Sequence, residues 1–495
     1  MGLTSALVVS AMPLAAQEVN TVEQLRKQLQ EMQQNFEKQR QQMEAMQKQL
    51  EALDRKQTTA TVEQEEIKKT VETKLAQPSS STNLLGTHWS PSQPIRLVGN
   101  ERNYLNLSFD GLFSAGGSTA NDIEALQPGG HDPKQRGFTV QNLETTFEGK
   151  VDPYFRGQAA IIYQIDPEGK SFLEVEEAYV DTLSLPWNLQ ARAGQFFTEF
   201  GRLNQFHPHS WDFVDQPLVN GRFLGADGLR SAGGRLSWLA PTPFYSEFML
   251  TLQNSQGETA FSFRDGHEDE PYLGRLHSQG GVKSLGDMLF VPRYVASFNL
   301  SDAQTLVLGA SAAFGPNGSG NNTDSQVFGL DAFWKWKPVN HHAGFPFVSW
   351  QTEAMLRRYQ AGAFDWDLDG DGALNPDGSE RDLDGNGVAD VLPRETLKDW
   401  GFYSQALWGF RKGWVAGFRC EYVGRFDNAN YEGLFGNDPD RDARWRLSPN
   451  LTWYPTEFSK IRLQYNYDNR QGIGQDHSVW LQFEFLIGSH GAHKF

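Results

Sequence analysis

The sequence predicts an all-β fold, an antiparallel transmembrane β-barrel of about 16 strands with an N-terminal α-helical coiled coil before it. Three observations carry this prediction: the composition, a series of period-two segments, and alternating long and short connections. Mean hydropathy is -0.54, yet 13% of the residues are aromatic, including 34 Phe and 14 Trp. This combination is typical of membrane barrels, whose strands alternate lipid-facing and lumen-facing side chains between aromatic girdles.

Segments in which apolar and polar residues alternate begin near Tyr104 and recur to the end of the chain. A period of two indicates β-strands with one face toward each environment. Barrels of about 14 or 18 strands are the alternatives to 16. The predicted strands cover residues 104–115, 138–150, 154–165, 172–183, 187–196, 230–240, 245–254, 291–300, 304–314, 324–337, 345–360, 396–411, 414–425, 445–455, 459–471 and 477–488.

The connections between these segments alternate between short and long along the whole barrel. Short connections such as 151–153, 184–186 and 412–413 alternate with mostly longer ones such as 197–229 and 361–395. An antiparallel barrel with short periplasmic turns and long outer loops produces this rhythm, and it places both termini in the periplasm. A barrel of this size has room for an aqueous channel.

The third long connection, here called loop 3 (residues 197–229), is rich in Gly, Pro, His, Asp and aromatic residues and shows no periodicity. A long insertion of this kind in a compact domain is usually either functional or a sign of a wrong assignment, and we interpret it as functional. We expect loop 3 to fold inward and narrow the pore, as the third loop commonly does in similar barrels. Its candidate constriction residues are Arg202, His207, His209, Asp212, Asp215 and Arg222.

Three predicted segments precede the barrel, which covers 104–495. Residues 1–16 are typical of a secretory signal peptide. The positively charged N-terminal region that such peptides usually have is missing, so we expect the start of the sequence to be truncated or misassigned. Residues 17–76 are predicted as a periplasmic coiled coil, because nine of ten a/d positions between 19 and 56 are apolar. Residues 77–103 are predicted as a linker.

Charge and residue usage exclude several function classes. The net charge of -17 argues against a nucleic-acid partner and, if it extends to the lumen, favours cations. The single cysteine, Cys420, excludes an internal disulfide and a cysteine-cluster metal site. No nucleophile-elbow, zinc-protease or phosphate-loop pattern occurs, so the sequence predicts no enzyme.

The long connection near the C-terminus contains two acidic blocks in residues 365–390, which align fifteen residues apart. Oxygen-bearing side chains fall at positions 1, 3, 5 and 9 of each block, and Gly372 and Gly387 occupy position 6, as in an EF-hand-type Ca²⁺ loop. The bidentate acid of position 12 is absent, so the expected affinity is modest, and a solvated acidic loop is the alternative. The candidate ligands are Asp367, Asp369, Asp371, Asn375, Asp382, Asp384, Asn386 and Asp390.

Two histidines in loop 3, His207 and His209, flank Pro208 and lie near Asp212 and Asp215 in sequence. Histidine is a common ligand of transition metals, so a zinc site is a hypothesis. Ordinary polar positions in a loop are the more frequent interpretation of such a pair.

Segments 137–153 (GFTVQNLETTFEGKVDP), 176–181 (EEAYVD) and 193–201 (AGQFFTEFG) resemble the phosphate-selective porin O/P family, most clearly over 137–205. The resemblance implies a trimeric outer-membrane porin of sixteen strands, in some members with an N-terminal coiled coil. In that family, arginine ladders and a lysine cluster at the constriction select anions. Loop 3 has no lysine and more acidic than basic residues, so the resemblance supports the fold and the pore more than phosphate as the solute.

The sequence therefore predicts a bacterial outer-membrane porin for passive diffusion of small hydrophilic solutes or ions. The implied partners are outer-membrane lipid and further copies of the chain in a homotrimer. One alternative is a substrate-specific channel for a metal ion such as zinc, or for phosphate. The other is a structural tether, in which the coiled coil binds the cell wall and the barrel only anchors it.

Overall fold

The computed structural model describes residues 94–99, 102–264, 271–277 and 280–488. The predicted signal segment, the coiled coil and most of the linker lie outside this range. Two short helices, α1 (Leu218–Leu224) and α2 (Asn430–Phe435), lie in connections. The strands are β1 (Ile95–Gly99), β2 (Tyr104–Ser118), β3 (Gly137–Lys150), β4 (Phe155–Ile165), β5 (Ser171–Thr182), β6 (Leu189–Phe197), β7 (Arg230–Leu239), β8 (Tyr245–Asn254), β9 (Met288–Ser301), β10 (Gln304–Pro316), β11 (Asp324–Trp336), β12 (Phe347–Ala361), β13 (Phe364–Asp365), β14 (Val391–Leu392), β15 (Glu395–Arg411), β16 (Trp414–Arg425), β17 (Arg444–Thr456), β18 (Ser459–Arg470) and β19 (Gly474–Ile487).

The long strands form one closed antiparallel barrel of 16 strands, as predicted. Each strand from β2 onward pairs with its neighbour in sequence, except that β12 pairs with β15 across the two-stranded ribbon β13–β14. The last strand, β19, closes the barrel by pairing with β2, where Phe483 lies opposite Phe113. No helix in the described part of the chain has the length and apolar character needed to cross a membrane.

The barrel is polar inside and apolar outside, as strand β18 illustrates. Arg462, Gln464 and Asn466 are almost fully buried, whereas Leu463 and Tyr465 between them are exposed. Because successive side chains of a strand point to opposite faces, this alternation separates a polar interior from an apolar outer surface. An apolar outer band around a polar lumen is the arrangement that membrane barrels use.

The predicted strands match the observed barrel strands with shifts of a few residues at their ends. The structure adds β1, which lies inside the range predicted as linker and pairs with Tyr104–Leu107 of β2, a stretch that β19 does not reach. Strand β1 has only five residues, and β13 and β14 have two each. Segments this short carry too few alternations to be recognised from periodicity.

Candidate functional site

Loop 3 crosses the interior of the barrel and hydrogen-bonds with side chains on opposite walls. The backbone N–H of Leu203 donates to Glu353 on β12 at 2.7 Å, and that of Leu218 donates to Glu421 on β16 at 2.7 Å. On the other side, Nε2 of His207 lies 2.9 Å from a carboxylate oxygen of Glu177 on β5. The loop thus has polar partners around much of the wall.

An apolar cluster packs helix α1 of loop 3 against the wall. Val219 and Phe223 of α1 are fully buried and cluster with Val327, Tyr403 and Val423 of strands β11, β15 and β16. The sequence fixes the helix ends, because Pro217 precedes the first turn and Gly225 has a positive φ of 99° after the last one. Burial of these large side chains stabilises the inward position of the loop.

Asp215 is the most fully paired of the predicted constriction residues, and its partners are on the wall. One carboxylate oxygen accepts from Nη2 of Arg419 at 2.5 Å, and the other accepts from Nη1 of Arg446 at 3.1 Å. Gln464 and Asn466 of β18 also donate to this carboxylate. Although burial opposes ionisation, the guanidinium groups of Arg419 and Arg446 hold the pKa of Asp215 below its usual value.

The other charged candidates also contact the wall or another loop, and the described ion pairs join none of them to each other. Arg202 donates to Gln351 at 3.1 Å and stacks on Phe333, with 3.9 Å between its Cζ and the ring centroid. Asp212 accepts from Nε2 of Gln405 at 3.1 Å, and burial raises its pKa. Arg222 donates to the backbone oxygen of Asp442 at 2.8 Å.

A cavity of about 290 Å³ lies beside loop 3 and has mostly polar walls. Among the described residues, five arginines and three acidic residues line it. Periodicity could have identified the wall arginines, since they occupy inward positions of their strands, whereas the prediction from the sequence rested on the charges of loop 3. The charged lining consists of Arg156, Arg192, Arg202, Arg235, Arg293, Asp181, Glu199 and Glu247.

The two predicted loop 3 histidines lie together in a buried cluster with glutamates of β3 and β5. Nδ1 of His207 lies 3.1 Å and Nδ1 of His209 lies 3.2 Å from the same oxygen, Oε2 of Glu144. Burial disfavours the imidazolium form, but Glu144 and Glu176 outweigh it and hold the pKa of His207 well above its usual value. Sequence reasoning singled out His207 and His209 and missed the glutamates, which come from strands about 30 and 60 residues away.

The predicted Ca²⁺ ligands lie in loop 6 (residues 362–394), where both acidic blocks adopt the same turn. Asp367 accepts from the N–H groups of Gly370 and Gly372, and Asp382 accepts in the same way from Gly385 and Gly387. Carboxylate oxygens of the first three acids of block one lie within 4.8 Å of one another, as do those of Asp382, Asp384 and Asp390 in block two. The four glycines have positive φ, which the tight turn requires.

Comparison with known proteins gives structural neighbours of low similarity. The outer membrane channel DcaP of Acinetobacter baumannii is 11% identical, with a TM-score of 0.47, and the match covers 79% of this chain and 99% of that one. An anion-selective porin from Comamonas acidovorans is 7% identical, with a TM-score of 0.44, over 77% of this chain and 100% of that one. The assignment of the barrel therefore rests on the strand pairing described above.

No family model matches the chain, so the resemblance to the phosphate-selective porin O/P family stays a prediction. A relative from Aquifex aeolicus (strain VF5), described as an uncharacterized protein, is 30% identical over 390 residues. The aligned region covers 74% of this chain and 73% of the relative. The chain therefore belongs to the same protein family as this Aquifex aeolicus protein.

Proposed function

We propose that the protein is a bacterial outer-membrane channel for passive diffusion of small hydrophilic solutes, with loop 3 narrowing the pore. A closed barrel with a polar lining and an apolar outer surface supports the membrane location. The observation that carries the proposal is the path of loop 3, which bonds to Glu353 on one wall and Glu177 on another. A loop fixed at both sides leaves solutes only the space beside it.

The cavity beside loop 3 supports a preference for anions, in contrast to the cation preference expected from the overall charge. Its five arginines exceed its three acidic residues, so the local field favours negative solutes. Most of these arginines are paired: Arg192 with Asp181 at 2.7 Å and Arg293 with Asp331 at 2.7 Å. Arg202 forms no ion pair with a described residue, and only the more distant Asp331, Glu353 and Asp212 offset its charge. Phosphate is one anion that this lining suits.

Single-channel recording in planar bilayers, with the reversal potential measured in a salt gradient, tests this function. We expect steady conductance steps and a reversal potential whose sign shows that anions are more permeant than cations. A preference for cations would contradict the proposed role of the cavity arginines but would still agree with the channel function. A folded protein that never conducts would contradict the channel function itself, and it would favour the alternative of an outer-membrane tether.

We further propose that the protein is a homotrimer and that residues 17–76 form a periplasmic coiled coil. The support is the heptad pattern of the sequence, with apolar residues at nearly all a/d positions. Deletion of residues 17–76 separates two roles. Loss of trimers in detergent would favour an assembly role, whereas loss of envelope attachment with normal permeability would favour a tether to the cell wall.

We also propose that loop 6 binds Ca²⁺ through the two acidic blocks. Each block repeats the ligand spacing of an EF-hand-type loop, and the two blocks share one turn conformation around Asp367 and Asp382. Bound Ca²⁺ would offset the repulsion among carboxylates that face one another within 4.8 Å. The role of such a site would be to hold the outer loop in one conformation.

A further inference from the structure

The buried cluster of His207, His209 and Glu144 has the dimensions of a metal site. Each histidine places Nδ1 3.1–3.2 Å from Oε2 of Glu144, and the three ligand atoms lie within 4.8 Å of one another. Nitrogen and oxygen ligands about 2.1 Å from a tetrahedral Zn²⁺ lie about 3.4 Å apart. The two nitrogen–oxygen separations are thus close to those that one ion at the centre would impose.

A second carboxylate approaches the same point. Oε2 of Glu176 lies 2.6 Å from Nδ1 of His207, the nitrogen that also faces Glu144. One ring nitrogen carries at most one proton, so it cannot donate fully to two carboxylates at once. A metal ion bound between them would accept electron pairs from the nitrogen and from both oxygens. Glu176 is thereby placed to supply the fourth ligand.

The opposite ring nitrogen of His207 is held by a carboxylate outside this set. Nε2 of His207 lies 2.9 Å from Oε2 of Glu177. A histidine that binds a metal usually donates its other N–H to a carboxylate, which fixes the tautomer and strengthens the ligand. With Nε2–H donated to Glu177, the lone pair of His207 is on Nδ1, where the other ligands converge.

A further buried carboxyl group lies next to the cluster. Asp110 on β2 is 1% exposed, and neither of its carboxylate oxygens has a hydrogen-bond partner among the described residues. Its charged neighbours are His209 and Glu144 of the cluster, together with Glu484 and Lys460, which pair with each other. Buried carboxylates are normally hydrogen-bonded, paired or bound to a metal, because an unpaired buried charge is costly.

We propose that Glu144, His207 and His209, with Glu176 as fourth ligand, bind one divalent transition-metal ion of the Zn²⁺ class. Imidazole nitrogen and carboxylate oxygen together suit Zn²⁺ in a four-coordinate site. The site joins loop 3 to strands β3 and β5 through Glu144 and Glu176. It goes beyond the proposed channel function, and metal content can be measured without any conductance.

Metal analysis of the full-length protein tests the site. The folded protein, purified in detergent and treated with EDTA, is incubated with equimolar Zn²⁺, passed through a desalting column and analysed by mass spectrometry for zinc. We expect one Zn²⁺ per chain. The double substitution His207→Gln/His209→Gln is expected to abolish retention, and Glu177→Gln to weaken the affinity about 10- to 100-fold. Co²⁺ in place of Zn²⁺ should give the visible absorption of a four-coordinate ion.

His342→Gln is the matched control, because His342 lies exposed in a short turn, and this variant should keep one Zn²⁺ per chain. Heat-modifiable migration on gels shows which variants are folded. If the double variant does not fold, the comparison is made with Glu177→Gln. Failure of the wild-type protein to retain Zn²⁺, or equal retention by a folded double variant, would overturn the proposal.

Discussion

Asp215 of loop 3 and Arg419 of β16 form an ion pair in the lumen, with 2.5 Å between Oδ1 and Nη2. Both side chains are almost fully buried, and they lie 204 residues apart in sequence. Arg446 of β17 adds a second contact to the same carboxylate at 3.1 Å. The histidine cluster holds the loop to β3 and β5, and this ion pair holds it to β16 and β17.

Substitution Asp215→Ala should loosen loop 3 and widen the pore. It leaves Arg419 and Arg446 buried with only Glu421 and Asp468 as counter-charges, at 2.9 and 2.8 Å. Breaking a buried ion pair of this kind destabilises a protein by roughly 3–5 kcal/mol. We expect a larger and noisier single-channel conductance and a lower midpoint of thermal unfolding.

The control for this variant is Asp302→Ala, which removes an exposed acid in a short turn. It should leave both the conductance and the unfolding midpoint unchanged. A folded Asp215→Ala protein with the conductance of the wild type would show that loop 3 does not limit the current.

The contrast between the barrel and this ion pair shows what the sequence can predict. Each long strand can be recognised from the local alternation of polar and apolar residues, because the two faces of a strand meet different environments. An example is Arg462, Leu463, Gln464 and Tyr465 in β18. The partners of Asp215 come from strands more than 200 residues away. Which inward side chains meet a loop depends on where the loop turns inside the barrel, and no periodicity records that.

Substitution Arg202→Gln should shift the ion selectivity toward cations. The other cavity arginines have acidic partners, whereas Arg202 bonds to Gln351 and stacks on Phe333. Its charge is therefore the least compensated of the set, and its loss should lower the anion-to-cation permeability ratio by roughly twofold. The reversal potential in a salt gradient measures this ratio.

Arg394→Gln serves as the control for the selectivity test, since Arg394 lies exposed in loop 6. It removes the same charge far from the cavity and should leave the reversal potential unchanged. An equal shift in both variants would mean that total charge, and not the cavity, sets the selectivity.

The pair of substitutions Asp367→Asn and Asp382→Asn should abolish Ca²⁺ binding by loop 6. Each substitution removes the carboxylate at position 1 of a block, which is also the group that accepts hydrogen bonds from the glycines of the turn. Without an acid at position 12, we expect the wild type to bind with a Kd of about 10⁻⁴–10⁻³ M. Tb³⁺ luminescence excited through the nearby Trp366 measures binding, with Ca²⁺ as competitor. Asp377→Asn, which alters an exposed acid that occupies none of the candidate ligand positions, should bind normally. A wild type without sensitised luminescence would contradict the site.

Outer loop 7 (residues 426–443) should open as the pH rises, through Asp438. Burial, together with the neighbouring Asp440, raises the pKa of Asp438 to about 7. Between about pH 4 and about pH 7, the folded loop holds a proton on Asp438 that the opened loop has already released. The stability of the folded loop therefore falls as the pH rises through this range.

The variant Asp438→Asn tests this prediction. Its amide oxygen can still accept from the N–H of Asp440, which lies 3.0 Å from Oδ1 in the wild type. Burial also raises the pKa of Asp440, so hydrogen exchange of loop 7 should accelerate with pH beyond the intrinsic rate more strongly in the wild type than in the variant. Exchange in residues 317–323 serves as the internal control. Equal acceleration in both proteins would show that Asp438 is not the titrating group.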